Sequence, residues 1–173
     1  MNNDRINALE TALNNEMKER EFYLQHSERT TNPVGKAMFL QIANEELEHY
    51  ERLKQLHEKW EKEEKWPKSI PLEVGASNLK TTMQEVIDAT KNLKPGDADD
   101  LEAVRTAITF EADGVKFYEK LRDGSQDERE KAFFALLVTI ENEHLQSLIE
   151  SEAFFLDPAQ WYQQQEHSGL DGA

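Results

Sequence analysis

Apolar residues recur along most of this chain at steps of three and four, the spacing that lines one face of an α-helix. Between Phe39 and Trp60 the stripe is Phe39, Ile42, Leu53, Leu56 and Trp60, and two of its positions are held by Glu46 and His49. Phe134, Leu137, Leu148 and Phe155 form a second such stripe, interrupted by Glu141 and His144. Residues three apart share a helix face, so each of these helices turns a carboxylate and an imidazole toward the core. Two further stripes carry one acid each. Ile6, Leu9, Leu13 and Tyr23 enclose Glu16, with Arg20 in the same row; Leu101, Val104, Ile108, Val115 and Tyr118 enclose Glu111. A carboxylate on an apolar face is costly unless a counter-charge or a metal compensates it.

The boundaries follow from Pro, Gly and capping residues. A first helix is predicted from about Asp4 to Arg29. Asn32 caps a second helix, with Pro33 at its first position, that runs to about Trp66 and stops at Pro67. A third long helix is predicted from near Asp97 to just before Gly124, taken as a C-terminal glycine. Ser125 to Glu128 reads as a capping box opening a fourth, which ends near Leu156. Asp157-Pro158 starts a short terminal helix with Trp161 and Tyr162, and Glu166 to Ala173 is expected to be loosely ordered unless it docks. Residues 67–96 form a connector containing one short helix, Leu79 to Leu93. It is far longer than a hairpin needs, and long enough to travel the length of a bundle or to reach another subunit. The predicted architecture is all-α: one domain over residues 1–173, a four-helix bundle with a long crossover between helices two and three, and a C-terminal extension from 157 to 173.

A shift of 95 residues superimposes the two halves. Glu16 falls on Glu111, Phe22 on Phe117, Tyr23 on Tyr118, Phe39 on Phe134, Glu46 on Glu141, His49 on His144 and Leu53 on Leu148. Two helix pairs of this content make a bundle with an approximate two-fold axis, on which four carboxylates and two imidazoles converge. Four negative charges balance two divalent cations, and carboxylates with one imidazole per ion suit iron or manganese, with zinc able to compete. This is the known ligand pattern of di-iron and di-manganese carboxylate bundles. A buried ion pair accounts for a single Glu-x-x-His; two copies, each with an upstream core glutamate at matched distance, favour a dinuclear metal site. Tyr23 and Tyr118, two turns beyond the upstream acids, read equally as core packing or as hydrogen-bond partners of a ligand carboxylate. His26, His57 and His167 lack the motif and are assigned to the surface.

Composition narrows the chemistry. Cysteine is absent from the 173 residues, which excludes disulfides, thiol catalysis, iron–sulfur clusters and Cys-ligated metals. A formal net charge of −15 argues against nucleic acid and anionic membranes as partners. There is no apolar run long enough for a membrane span and no signal-peptide core at the start, so a cytoplasmic location is expected.

With these residues in place the chain resembles the rubrerythrins of the ferritin-like superfamily over about residues 4 to 156. The resemblance rests on Glu16, Glu46-x-x-His49, Glu111, Glu141-x-x-His144, the Phe-Tyr pairs at 22–23 and 117–118, and the Leu-Asp-Gly-Ala ending. It implies a ferritin-like bundle holding two iron ions, with Glu46 and Glu141 bridging, Glu16 and Glu111 terminal or shifting, and His49 and His144 one to each iron. It implies reduction of hydrogen peroxide, or reaction with dioxygen, and protection against oxidative stress. Two departures stand out. Rubrerythrins proper carry a four-cysteine rubredoxin domain, so here electrons would come from a separate donor protein. They also place a glutamate three residues after the third-helix ligand, where this chain has Gly114; the repeat-related Glu19 is a candidate replacement. Two other functions are compatible with the site residues: an iron-binding ferroxidase without a reductive cycle, and a bundle that metal only stabilises. The connector and the repeat lead to the expectation of a homodimer.

Overall fold

The structure, a computed structural model, describes residues 2–63, 74–90 and 94–161. They form α1 (Asn2–Arg29), α2 (Pro33–Glu63), α3 (Leu79–Ala89), α4 (Ala98–Gly124) and α5 (Glu128–Leu156), followed by a short helical turn at 158–161. There is no strand among the described residues.

α1 packs along α2 and α4 along α5, as the three-residue links between them dictate. Side-chain pairings fix the directions. The Tyr23 ring stacks near Phe39 and the Tyr118 ring near Phe134, so each pair is antiparallel. Tyr23 also meets Glu111, and Tyr118 meets Glu16, which makes α1 antiparallel to α4. It follows that α2 and α4 run in the same direction. A chain leaving the end of one must return along the whole bundle to begin the other, about 45 Å for a helix of this length. That is the physical reason for the crossover, and α3 lies on it, packed against α2 with Leu79, Met83 and Ile87 buried.

The apolar core is split in two. One cluster contains Tyr23, Met38, Phe39, Ile42, Leu148, Phe154, Phe155 and the buried face of α3. The other contains Leu9, Leu53, Leu56, Trp60, Tyr118, Phe133, Phe134 and Leu137. Repeat mates fall in opposite clusters: Tyr23 and Tyr118, Phe39 and Phe134, Leu148 and Leu53. Between them lies the polar layer formed by the interrupting Glu and His residues.

Several boundaries differ from expectation for identifiable reasons. Asn32 does cap α2, its Oδ1 accepting from the N–H groups of Val34 and Gly35 at 3.0 and 3.2 Å. The capping box, however, is at α4: Asp97 accepts from the Asp100 N–H and Asp100 accepts in return from the Asp97 N–H. Ser125 does not open α5; its hydroxyl donates to Leu121 O at the end of α4, and Asp127 caps α5 by accepting from the Arg129 N–H. Gly124 is the last residue of α4 and not a left-handed residue beyond it. α3 ends at Ala89, where the extended Thr90 terminates it, and not at Leu93, which lies outside the described residues. The predicted end of α2 at Trp66, Tyr162 and the C-terminal tail with His167 also lie outside them. The stripe of α1 is turned slightly from the one predicted: Ala12 is buried and Leu13 half-buried.

Candidate metal centre

Each long helix brings one carboxylate to the middle layer because its acid sits on the buried stripe. α1 presents Glu16, α4 presents Glu111, α2 presents Glu46 and His49, and α5 presents Glu141 and His144. All six are buried, with at most 1% of each residue exposed. The candidate ligands taken from the repeat are thus brought into one place.

They form two adjoining groups, in each of which one ligand atom per residue lies within 4.8 Å of the others: Glu16, Glu46, His49 and Glu141; and Glu46, Glu111 and His144. Glu46 belongs to both. Its Oε2 is 3.1 Å from His49 Nδ1 and its Oε1 3.2 Å from His144 Nδ1, so the carboxylate lies between the two imidazoles. His49 Nδ1 is also 3.1 Å from Glu16 Oε2 and 3.7 Å from Glu141 Oε1; His144 Nδ1 is 3.5 Å from Glu111 Oε2. The two rings lie nearly parallel, with centroids 5.6 Å apart.

The donor set fits a cation. Glu46 Oε1, Glu111 Oε2, both oxygens of Glu141 and His144 Nδ1 are buried without a hydrogen-bond partner. His144 Nε2 lies 2.6 Å from Glu45 Oε2, a carboxylate that only accepts, so the ring proton belongs on Nε2 and, in the neutral ring, Nδ1 keeps its lone pair. Acceptor atoms then face acceptor atoms, which a positive ion resolves and a further hydrogen-bond acceptor does not.

Without a cation, protons must do this work. Burial, together with the Glu46 charge, pushes the Glu16 carboxyl up to about 7. Burial and the charges of Glu111, Glu46 and Glu16 push Glu141 well above the usual range. Burial opposes the charging of His49, but Glu46 and Glu16 overcome it and raise the imidazole to about 10. His144 is raised in the same manner, chiefly by Glu111. Burial likewise opposes ionisation of Glu46, but the two imidazoles outweigh it and hold its carboxyl well below the ordinary value.

Tyr23 and Tyr118 are resolved in favour of hydrogen bonding. The Tyr23 hydroxyl donates to Glu111 Oε1 and the Tyr118 hydroxyl to Glu16 Oε1, each tyrosine crossing to the carboxylate of the other helix pair. Burial and those carboxylates push both phenols well above their ordinary value, so both remain donors. Glu19 lies outside both ligand groups. It is half-buried and lines a groove of about 440 Å³ between α1 and α4 with Asn15, Lys18, Phe22, Phe110 and Gly114. Burial and the charges of Glu46, Glu111 and Glu16 push it up to about 10. Gly114 forms the thin part of that groove: a Cβ there would lie 2.9 Å from Glu141 Oε2.

His26 and His57 are not surface residues as expected. His26 is half-buried against the rings of Phe22 and Phe39, and burial, with Arg29, lowers its pKa. His57 is 15% exposed and lies 3.9 Å from Glu10 and 3.7 Å from Glu61. Both still stand apart from the centre. The residue missed by sequence reasoning is Glu45. It sits one position before the candidate ligand Glu46, about 100° round the helix from the stripe, where a glutamate ordinarily faces solvent. The structure instead turns it toward α5 and the segment before α3, where it accepts from His144, Gln41 and Asn78 N. Only its adjacency to Glu46 hinted at a role.

No helix among the described residues is long and apolar enough to cross a membrane. A family model described as Rubrerythrin matches residues 7–151. No curated protein and no solved structure matches the chain. The family match covers most of the chain and all six residues of the buried cluster, and the fold is the expected ferritin-like helical bundle: the chain belongs to the rubrerythrin family.

Proposed function

We propose that this protein is a di-iron oxidoreductase that reduces hydrogen peroxide, with Glu16, Glu46, His49, Glu111, Glu141 and His144 as the ligands and a separate protein as the electron donor. The observation that carries the reading is the buried set of unpartnered acceptor atoms on four helices, in a chain of the rubrerythrin family. Two ferrous ions held there would supply the two electrons needed to cleave a peroxide O–O bond. Glu46 and Glu141 would bridge, since Glu46 already lies between the imidazoles and both oxygens of Glu141 are bare. Glu16 and Glu111 would be terminal, each with its second oxygen held by a tyrosine. The groove beside Glu19 and Gly114 is the approach for a small substrate, because only a glycine separates it from Glu141. In the metal-free protein, burial and the charges of Glu46, Glu111 and Glu16 favour a proton on Glu19 beside that approach. The electrons come from another protein because these residues include no cysteine to hold a thiolate-ligated iron.

The test is stopped-flow oxidation of anaerobically iron-loaded protein by hydrogen peroxide and by dioxygen. Peroxide should be faster by orders of magnitude, and Glu46→Ala and Glu141→Ala should abolish the reaction. Equal or faster oxidation by dioxygen would replace this reading with a ferroxidase. The composition of the centre favours that second reading at one point, Gly114, where the resemblance called for a further carboxylate.

A further inference from the structure

The internal repeat makes the two halves of the centre look interchangeable, and their surroundings are not. With Glu141 bridging, as the reading above has it, each metal position would have the same inner donors: two shared carboxylates, one terminal glutamate and one imidazole; in the structure Glu141 groups with Glu16, Glu46 and His49. The difference lies behind the imidazoles. His144 Nε2 is 2.6 Å from Glu45 Oε2. Glu45 is itself fixed: its Oε1 accepts from Gln41 Nε2 at 2.7 Å and from the Asn78 N–H at 2.8 Å. At the position related to Glu45 by the 95-residue repeat stands Ile140, buried and unable to accept a hydrogen bond. Among the described residues, every polar contact of His49 is to Glu16, Glu46 or Glu141, members of the ligand set itself.

We infer that Glu45 makes the two metal positions inequivalent, so that the one formed by Glu111, His144 and the bridging carboxylates binds the first ion and the one formed by Glu16 and His49 the second. This rests on the dinuclear reading above. A carboxylate behind a ligating imidazole acts in three ways. It fixes the tautomer, so that Nε2 keeps its proton and Nδ1 is the nitrogen that binds. It fixes the ring plane, so that less freedom is lost on binding. It also makes the ring a stronger donor by taking part of the positive charge. Among the described residues His49 has no such partner; its ring contacts only members of the ligand set. Outer partners of this kind contribute roughly 10- to 100-fold to metal affinity. The hydrogen bond from Asn78 N ties the same carboxylate to the segment leading into α3, so the tighter position is set by the crossover as well as by the four helices.

The experiment is a titration of the metal-free protein with cobalt(II), followed by calorimetry and by the visible d–d bands. Two steps are expected, the first at least 10-fold tighter. His144→Ala should remove the tight step and His49→Ala the weak one. Glu45→Leu should weaken the tight step by 10- to 100-fold while leaving the weak one unchanged, and Glu45→Gln, which still offers an acceptor oxygen, should restore much of the loss. Two indistinguishable steps in the parent protein would overturn the inference, as would loss of the tight step in His49→Ala. The histidine comparison decides the matter even if Glu45→Leu fails to fold. No binding of cobalt at all would instead defeat the dinuclear reading on which this rests.

Discussion

Gly114→Ala separates the metal-free protein from the loaded one. Gly114 lies within α4, where alanine is favoured over glycine by about 1 kcal/mol. The added Cβ would lie 2.9 Å from Glu141 Oε2 and 3.5 Å from its Cδ, so the carboxylate must retreat by about 0.5 Å to reach ordinary contact. Without metal that retreat is easy, because the obstructing atom is the free end of a flexible side chain with no hydrogen-bond partner. Unfolding of the metal-free variant should therefore show a gain of about 1 kcal/mol, or about 2–4 °C in Tm for a chain of this size. With metal bound, the same oxygen is held in place, and forcing it aside should cost about 1–3 kcal/mol, the usual penalty for overfilling a packed site. Metal affinity should then fall by roughly 5- to 150-fold. The assays are thermal unfolding with chelator and with metal, and a competition titration against a chromophoric chelator. Equal gains in both states with unchanged affinity would refute the placement of Glu141 as a ligand.

Three other outcomes follow. Between about pH 5 and pH 9 the metal-free protein should lose stability as pH rises. Glu16 (raised to about 7), Glu19 (about 10) and His49 (about 10) keep protons in the fold that the unfolded chain releases at ordinary values, so their stabilising contribution is present at low pH and lost as pH climbs through those values. Each such extra proton tilts stability by about 1.4 kcal/mol per pH unit. Metal replaces the protons of Glu16 and His49, so the loaded protein should show a shallower fall, and melting curves across this range check both. Tyr23→Phe and Tyr118→Phe each remove the donor from a buried carboxylate oxygen and should destabilise by about 1–3 kcal/mol in denaturant unfolding; a variant as stable as the parent would show that the carboxylate finds another donor. Gly96→Ala puts a Cβ 2.8 Å from Cδ1 of the fully buried Phe155 and should cost about 1–3 kcal/mol, measured as a lower midpoint, with metal affinity unchanged because the contact is remote from the centre.

Much of this was legible in the sequence because it repeats. The stripe positions Glu46, His49, Glu141 and His144 are conspicuous as polar groups where packing demands apolar ones, and the 95-residue register located Glu16 and Glu111. What periodicity could not show is anything decided between helices. Tyr23 pairs with an acid 88 residues away and Tyr118 with one 102 residues away, and a stripe gives no account of which neighbour a side chain meets. Glu45 was hidden for the same reason, as a position polar on its own helix and buried only by another. The caps were misplaced where two local patterns competed. Ser125 and Asp127 both suit an N-cap, and the chain uses the later one because Ser125 is already engaged with the preceding turn.

The crossed tyrosines also bear on the order in which the molecule is made. The helix hairpins α1–α2 and α4–α5 are local in sequence and can form quickly, each with its own apolar stripe. The contacts that complete the centre join residues 88 and 102 positions apart, and so cannot exist until the hairpins have docked. A hairpin alone offers half of the candidate ligands, with Glu16 or Glu111 lacking its tyrosine. The centre is therefore a late product of folding, and a chain emerging in the presence of free metal has little with which to trap it in the wrong geometry. On the dinuclear reading, capture of an ion would report that the two halves have met.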